Sequence, residues 1–227
     1  MIPIVGDWFE ALRETFMPKT ATGSWSVGGA LGKYYKRMII PLILAFVIQI
    51  WLIESGQAAA LLPTFVGAVL GLSLASLLIT FLVTLPISIL VVAIVYNIFG
   101  EMVGAIKKGS FGDTVSATMH SFMPYVSLYF VWQILFSLVT GTLVNAPYII
   151  LTILLILLIW EVIVFVFSFA AVHKTTKGKA FLTWLVPFII TVIVFAALIV
   201  FIISAANILS SILPLILGGG AGGAGVI

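Results

Sequence analysis

The chain reads as an all-α integral membrane protein, a bundle of five membrane-crossing helices preceded by an amphipathic cytoplasmic helix. Three observations predict this. Hydrophobic residues make up 63% of the 227 residues and charged residues only 7%, with a mean hydropathy of +1.35; a soluble domain has too little interior to hide that much apolar surface. Several apolar runs reach about twenty residues, the length that crosses a hydrocarbon core of roughly 30 Å as a helix. The ten Lys and Arg residues fall only in alternate connections between those runs. Lipid offers the backbone no hydrogen bonds, so spanning elements must be helices or closed barrels, and the runs lack the period-two alternation of a barrel.

Residues 1–37 form the expected cytoplasmic segment. Its opening, MIPIVGDWFEALRETF, carries Asp7, Glu10 and Glu14 where a secretory leader would show a basic start and an unbroken apolar stretch, so no cleavable signal is expected. Val5, Trp8, Phe9, Leu12 and Phe16 follow helical spacing, with Asp7, Glu10, Arg13 and Glu14 largely opposite, which predicts a helix lying in the membrane plane. Such a helix either braces the bundle from below or docks a partner or curved membrane. Gly23 to Gly32 reads as a flexible connection before the basic stop at Lys33, Lys36 and Arg37.

The bundle, residues 38–217, holds spans expected near 38–53, 79–99, 123–142, 148–172 and 181–204. Basic residues lie before the first span (Arg13, Lys19, Lys33, Lys36, Arg37), after the second (Lys107, Lys108) and between the fourth and fifth (Lys174, Lys177, Lys179). The positive-inside rule then predicts a multi-pass cell-membrane protein with its N-terminus cytoplasmic and its C-terminus outside. Two crossings within 61–99 would put the later basic groups outside, so 61–78 is expected to be a re-entrant, tilted or surface stretch before one net crossing, with a kink at Pro86. The apolar stretch 208–217, containing Pro214, extends the last span, and the Gly-rich residues 218–227 form an outer tail. Gly67, Gly71 and Ala75 leave a smooth strip for close helix packing, within the bundle or between two copies.

Several side chains stand out chemically. Asp113 is expected to cap a short helix leading into Pro124. His120 lacks a second ligand at metal-binding spacing, and with no cysteine in the chain neither a metal nor any other cofactor is expected. His173 sits in a basic turn with Lys174, Lys177 and Lys179; like Lys33, Lys36, Arg37, Lys107 and Lys108, these lysines are placed among lipid head groups. Glu161 lies about eleven residues, or about 16 Å, from the cytoplasmic end of its span. A charged side chain at a helix centre costs roughly 2.5–3.5 kcal/mol on insertion scales. Counting the same depth elsewhere reaches Gln49, Ser88, Gln133 and Thr191, a polar layer in which Glu161 is expected to be neutral and to donate to Gln133 or Gln49.

Two stretches resemble a known family. GSFGDTVSATMHSFMPYVS is similar to its pattern of a Gly-bearing loop, a short helix and a proline entering the third span, and LLIWEVIVFVFSFAAVHKTTKGKAFL is similar to its pattern of a tryptophan in the fourth span, then His, a polar turn and Lys-Ala opening the fifth. The chain thus resembles the Ypt-interacting protein (Yip) domain family, which implies five spans, a cytoplasmic N-terminus and no enzymatic activity. No nucleophile elbow, phosphate loop or dinucleotide fingerprint is visible. The expected role is therefore a non-catalytic membrane organiser or accessory subunit whose partners are the bilayer and other membrane proteins or further copies of itself, with no nucleic acid. The alternative is a small ion, proton or solute transporter or channel built round the polar layer at Glu161.

Overall fold

A computed structural model describes residues 3–55, 72, 74–106, 110–142 and 146–218, and among these the protein is all helix, with no strand. In chain order the helices are α1 (Pro3–Phe16), α2 (Val27–Ser55), α3 (Leu85–Met102), α4 (Phe111–Ser127), α5 (Tyr129–Thr142), α6 (Ala146–Val172) and α7 (Lys177–Gly218). Four stretches are long and apolar enough to cross a membrane: Val27–Trp51, Leu74–Met102, Leu151–Val172 and Lys177–Leu209. The protein is a helical membrane protein. The expected third span, 123–142, is two helices, because the chain breaks at Leu128 between α4 and α5. Gly67 and Gly71, Lys107 and Lys108, most of 61–78, and the tail beyond Gly218 lie outside the described residues; Ala75 is helical and exposed.

The chain forms two units, residues 1–184 and 185–227. In the first, α4 is the hub and packs against α1, α2, α3, α5 and α6. Thirteen of its seventeen residues are buried although many are Ser or Thr. Those hydroxyls are satisfied within the helix: Ser116 donates to Gly112 O, Thr118 to Thr114 O and Ser121 to Thr118 O. Small, internally satisfied side chains let neighbours approach closely. The apolar core beside it gathers Tyr34 and Met38 of α2, Ile89 and Ala93 of α3 and Val115, Met119 and Met123 of α4. In the second unit, side chains 188–209 of α7 are all exposed and mostly apolar, as expected of a surface solvated by lipid.

Two local expectations need correction. Gly23 to Gly32 is not a loose connection: α2 begins at Val27, and Trp25 is clamped to α4, its N–H donating to Ser116 Oγ (2.9 Å). Gly112 makes this approach possible, since a Cβ there would meet Trp25 O at 2.6 Å. Asp113 is not the N-cap of α4. Ser110 holds that position, and Asp113 reaches back to accept the Ser110 N–H at 2.7 Å in a capping box.

The irregularity expected at Pro86 takes the form of a π turn, Thr80–Thr84, just ahead of it. Proline has no N–H to give the preceding turn. Two tyrosines of α2 supply donors there instead: Tyr34 Oη donates to Phe81 O (2.9 Å) and Tyr35 Oη to Leu82 O (3.1 Å). The missing hydrogen bond thereby becomes a link between helices.

Candidate functional site

The most polar interior region joins α1 to the bundle. Charges three or four residues apart share a helix face, so Asp7, Glu10 and Glu14 of α1 meet Lys33 and Arg37 of α2, themselves one turn apart. Lys33 Nζ lies 3.2 Å from Asp7 and 3.3 Å from Glu10. Arg37 grips Glu14 with both arms of its fork, Nη1 to Oε2 at 2.6 Å and Nη2 to Oε1 at 3.0 Å, and Nη2 also reaches Glu10 at 3.3 Å. His120 of α4 completes the group: Nδ1 faces Glu14 Oε2 at 2.7 Å, and Nε2 faces Gly23 O at 3.4 Å. The Trp25 ring covers both groups, 5.4 Å from the Arg37 guanidinium carbon and 4.9 Å from the His120 imidazole. Arg37 and His120 are 0% exposed and Glu14 is 4% exposed. Burial alone would raise the Glu14 carboxyl, but the hydrogen bonds and charges of His120 and Arg37 outweigh it and hold it below the ordinary carboxylate range.

Neutral bonds extend this latch. Thr15 Oγ1 and Ser127 Oγ lie 3.1 Å apart, Trp8 Nε1 donates to Ser127 O (3.3 Å), and Trp160 Nε1 of α6 donates to Thr15 O (2.7 Å). The C-terminal end of α1 is therefore level with Trp160, next to Glu161. The acidic face of α1 is packed against the bundle. Phe9, Phe16 and Met17 remain exposed, at 51%, 62% and 60%.

Arg37 is consequently not among lipid head groups; its paired, buried charge belongs to the latch. Lys33 is spent on Asp7 and Glu10. Lys36 and Lys174 are exposed, while Lys177 lies 4.1 Å over the Phe167 ring and Lys179 donates to Gly104 O (3.0 Å). His173 is not a solvated boundary residue either, being 1% exposed. It starts a relay across three helices: Nε2 to Thr114 Oγ1 (3.1 Å), Thr114 to Asn97 Oδ1 (3.0 Å), and Asn97 Nδ2 to Glu101 Oε1 (2.8 Å). Its Nδ1 is buried without a partner. Burial pushes the His173 imidazole below its ordinary value, against the partial pull of the Asp113 charge. Asp113 is itself held low, its burial outweighed by hydrogen bonds from Ser24 and Ser110.

The expected polar layer does not assemble as one network. Gln133 Nε2 donates to Gln49 Oε1 at 3.1 Å, while Gln133 Oε1 is buried without a partner. Glu161 bonds neither of them; its Oε2 accepts from Tyr125 Oη of α4 at 3.0 Å. Thr191 turns back on its own helix to Pro187 O (2.8 Å), and Ser88 is half-buried on α3. Two cavities border these pairs. One, of about 360 Å³, is lined by Gln49, Ser76, Thr80, Tyr129 and Gln133. The other, of about 350 Å³, is lined by Thr80, Phe122, Tyr125, Tyr129, Trp132 and Glu161. Thr80, the first residue of the π turn, and Tyr129 line both; π turns recur at functional sites. Among the described residues no cluster of His, Asp or Glu has the make-up of a metal site.

Comparison with family models, with characterised proteins and with solved structures finds no match to this chain.

Proposed function

We propose that this protein is a non-catalytic membrane organiser or accessory subunit that presents the outer side of α1 to another membrane protein or to a second copy of itself. The observation that carries the reading is the direction in which α1 is held. The Glu14–Arg37–His120 latch turns its acidic face inward and leaves Phe9 and Phe16 outermost. With its polar face already occupied, the helix has these rings free to meet a partner within the membrane. The positive-inside pattern puts this surface on the cytoplasmic side and the C-terminus outside, and the resemblance to the Yip-type family agrees with that orientation.

The test is purification in mild detergent of the native chain and of a Phe9→Ser, Phe16→Ser variant. The reading expects a co-purifying membrane protein, or a dimer, with the native chain only. Identical, solitary behaviour of both would overturn it. A second reading, a small-solute or ion pathway, is favoured by the two cavities that share Thr80 and Tyr129 beside Glu161. Flux in reconstituted vesicles that disappears with Glu161→Gln, in a variant that still folds, would select it.

A further inference from the structure

We propose that the cavity beside Glu161 is a binding site for an organic cation of the quaternary ammonium type. The inference deepens the second reading above by naming a ligand class, and it requires binding only, not transport. Four aromatic rings, Phe122, Tyr125, Tyr129 and Trp132, line the cavity together with Thr80 and three leucines, and Glu161 is the one carboxyl among them. Aromatic faces carry negative charge density, and rings gathered round a small space are the recognised means of holding a cation too weakly hydrated to resist leaving water. A carboxylate beside them adds the counter-charge.

The rings are held in place. Tyr129 meets Phe81 edge-on at 4.9 Å, Trp132 Nε1 donates to Pro124 O at 3.4 Å, and Tyr125 is fixed by its bond to Glu161. Tyr125 occupies only Oε2 of the carboxyl, and no other described side chain donates to it. No Lys or Arg occurs between Lys108 and Lys174, or between Arg37 and Lys107, so these stretches supply no cation of their own. Tyr96 of α3 is the other titratable group close enough to sense Glu161. An ionised carboxyl in an apolar, aromatic cavity is costly, and a positive ligand offsets that cost. At about 350 Å³ the space falls within the range of small-molecule sites. Trp132 and Leu157 also line a neighbouring apolar cavity of about 290 Å³ bordered by Thr15 and Phe16 of α1.

The experiment is calorimetric titration of the full chain in lipid nanodiscs with choline and with 3,3-dimethylbutan-1-ol, which has the same shape without the charge. Choline should bind at least about tenfold more tightly than the alcohol, and Glu161→Gln should remove that preference. Equal affinity for the two compounds, or binding of neither, overturns the proposal on the native protein even if the variant fails to fold. So does a choline preference that survives Glu161→Gln. A dodecyltrimethylammonium arm identifies the source: a preference beyond about tenfold over choline indicates a cation borne by the membrane, and comparable affinity one taken from water, and both uphold the site. Binding without flux would leave this inference standing while removing the transport reading.

Discussion

Arg37 and Glu14 meet through two parallel hydrogen bonds, 2.6 and 3.0 Å, with the guanidinium fully buried and His120 sharing one of the carboxylate oxygens. A buried charge is tolerated only while it is paired. Glu14→Gln leaves Arg37 with only the exposed Glu10 as an anion and should destabilise the protein by about 3–5 kcal/mol. The double variant Glu14→Leu, Arg37→Met, which removes both charges, should recover most of that loss. Thermal unfolding in detergent, followed by circular dichroism, measures both. A double variant less stable than Glu14→Gln would show that the pair does not act as a unit.

His173 and Glu14 set the acid side of the stability curve. His173 is held below its ordinary value of 6.5, so the unfolded chain takes up that proton first; stability is present above 6.5 and falls as pH drops through and below it. Glu14 is held below its ordinary 4.5, so its contribution is present above 4.5 and is lost as pH falls through the folded value. The midpoint temperature should therefore decline in two stages on acidification. His173→Gln should flatten the upper stage alone, and a variant that keeps both stages would refute the assignment.

Tyr34 and Pro86 should behave as a coupled pair. Tyr34→Phe strands the buried carbonyl of Phe81 and should cost about 1–3 kcal/mol. In a Pro86→Ala background the restored N–H lets the turn rewind, so the same tyrosine change should cost clearly less. A double-mutant cycle in denaturant measures the coupling, and strict additivity would contradict the account of the π turn.

Gly112 is set against the Trp25 carbonyl. An alanine Cβ at 2.6 Å from a backbone oxygen cannot be relieved by turning a side chain, so Gly112→Ala should destabilise by about 1–3 kcal/mol and pry Trp25 from Ser116. Trp25→Phe in that background should then add little. If Gly112→Ala is neutral, the clamp on the α1–α2 connection is not there.

Hydropathy made the membrane class and most of the helices legible, because burial in lipid needs only composition and length. It could not reveal which polar residues meet. Glu14 lies 23 residues from Arg37 and 106 from His120, and no period links them. Sequence spacing did sort the charges of α1 onto one side, but whether that side faces water or Arg37 depends on α2. Nothing in the sequence marked the Ser- and Thr-rich α4 as the hub; its hydroxyls, mostly bonded back into their own helix, let it pack at the centre. Counting depth from helix ends found Glu161, Gln49 and Gln133, yet not Tyr125, since the break at Leu128 shifts the register between α4 and α5.

The claim on which the rest depends is that α1 is latched into the bundle by its polar face. The chain has no cysteine, so a Thr15→Cys, Ser127→Cys variant carries one possible disulfide, at positions whose side-chain oxygens lie 3.1 Å apart. The account predicts that mild oxidation in native membranes links these positions in nearly every molecule and protects them from maleimide. Unlinked cysteines that both react freely with maleimide would contradict it.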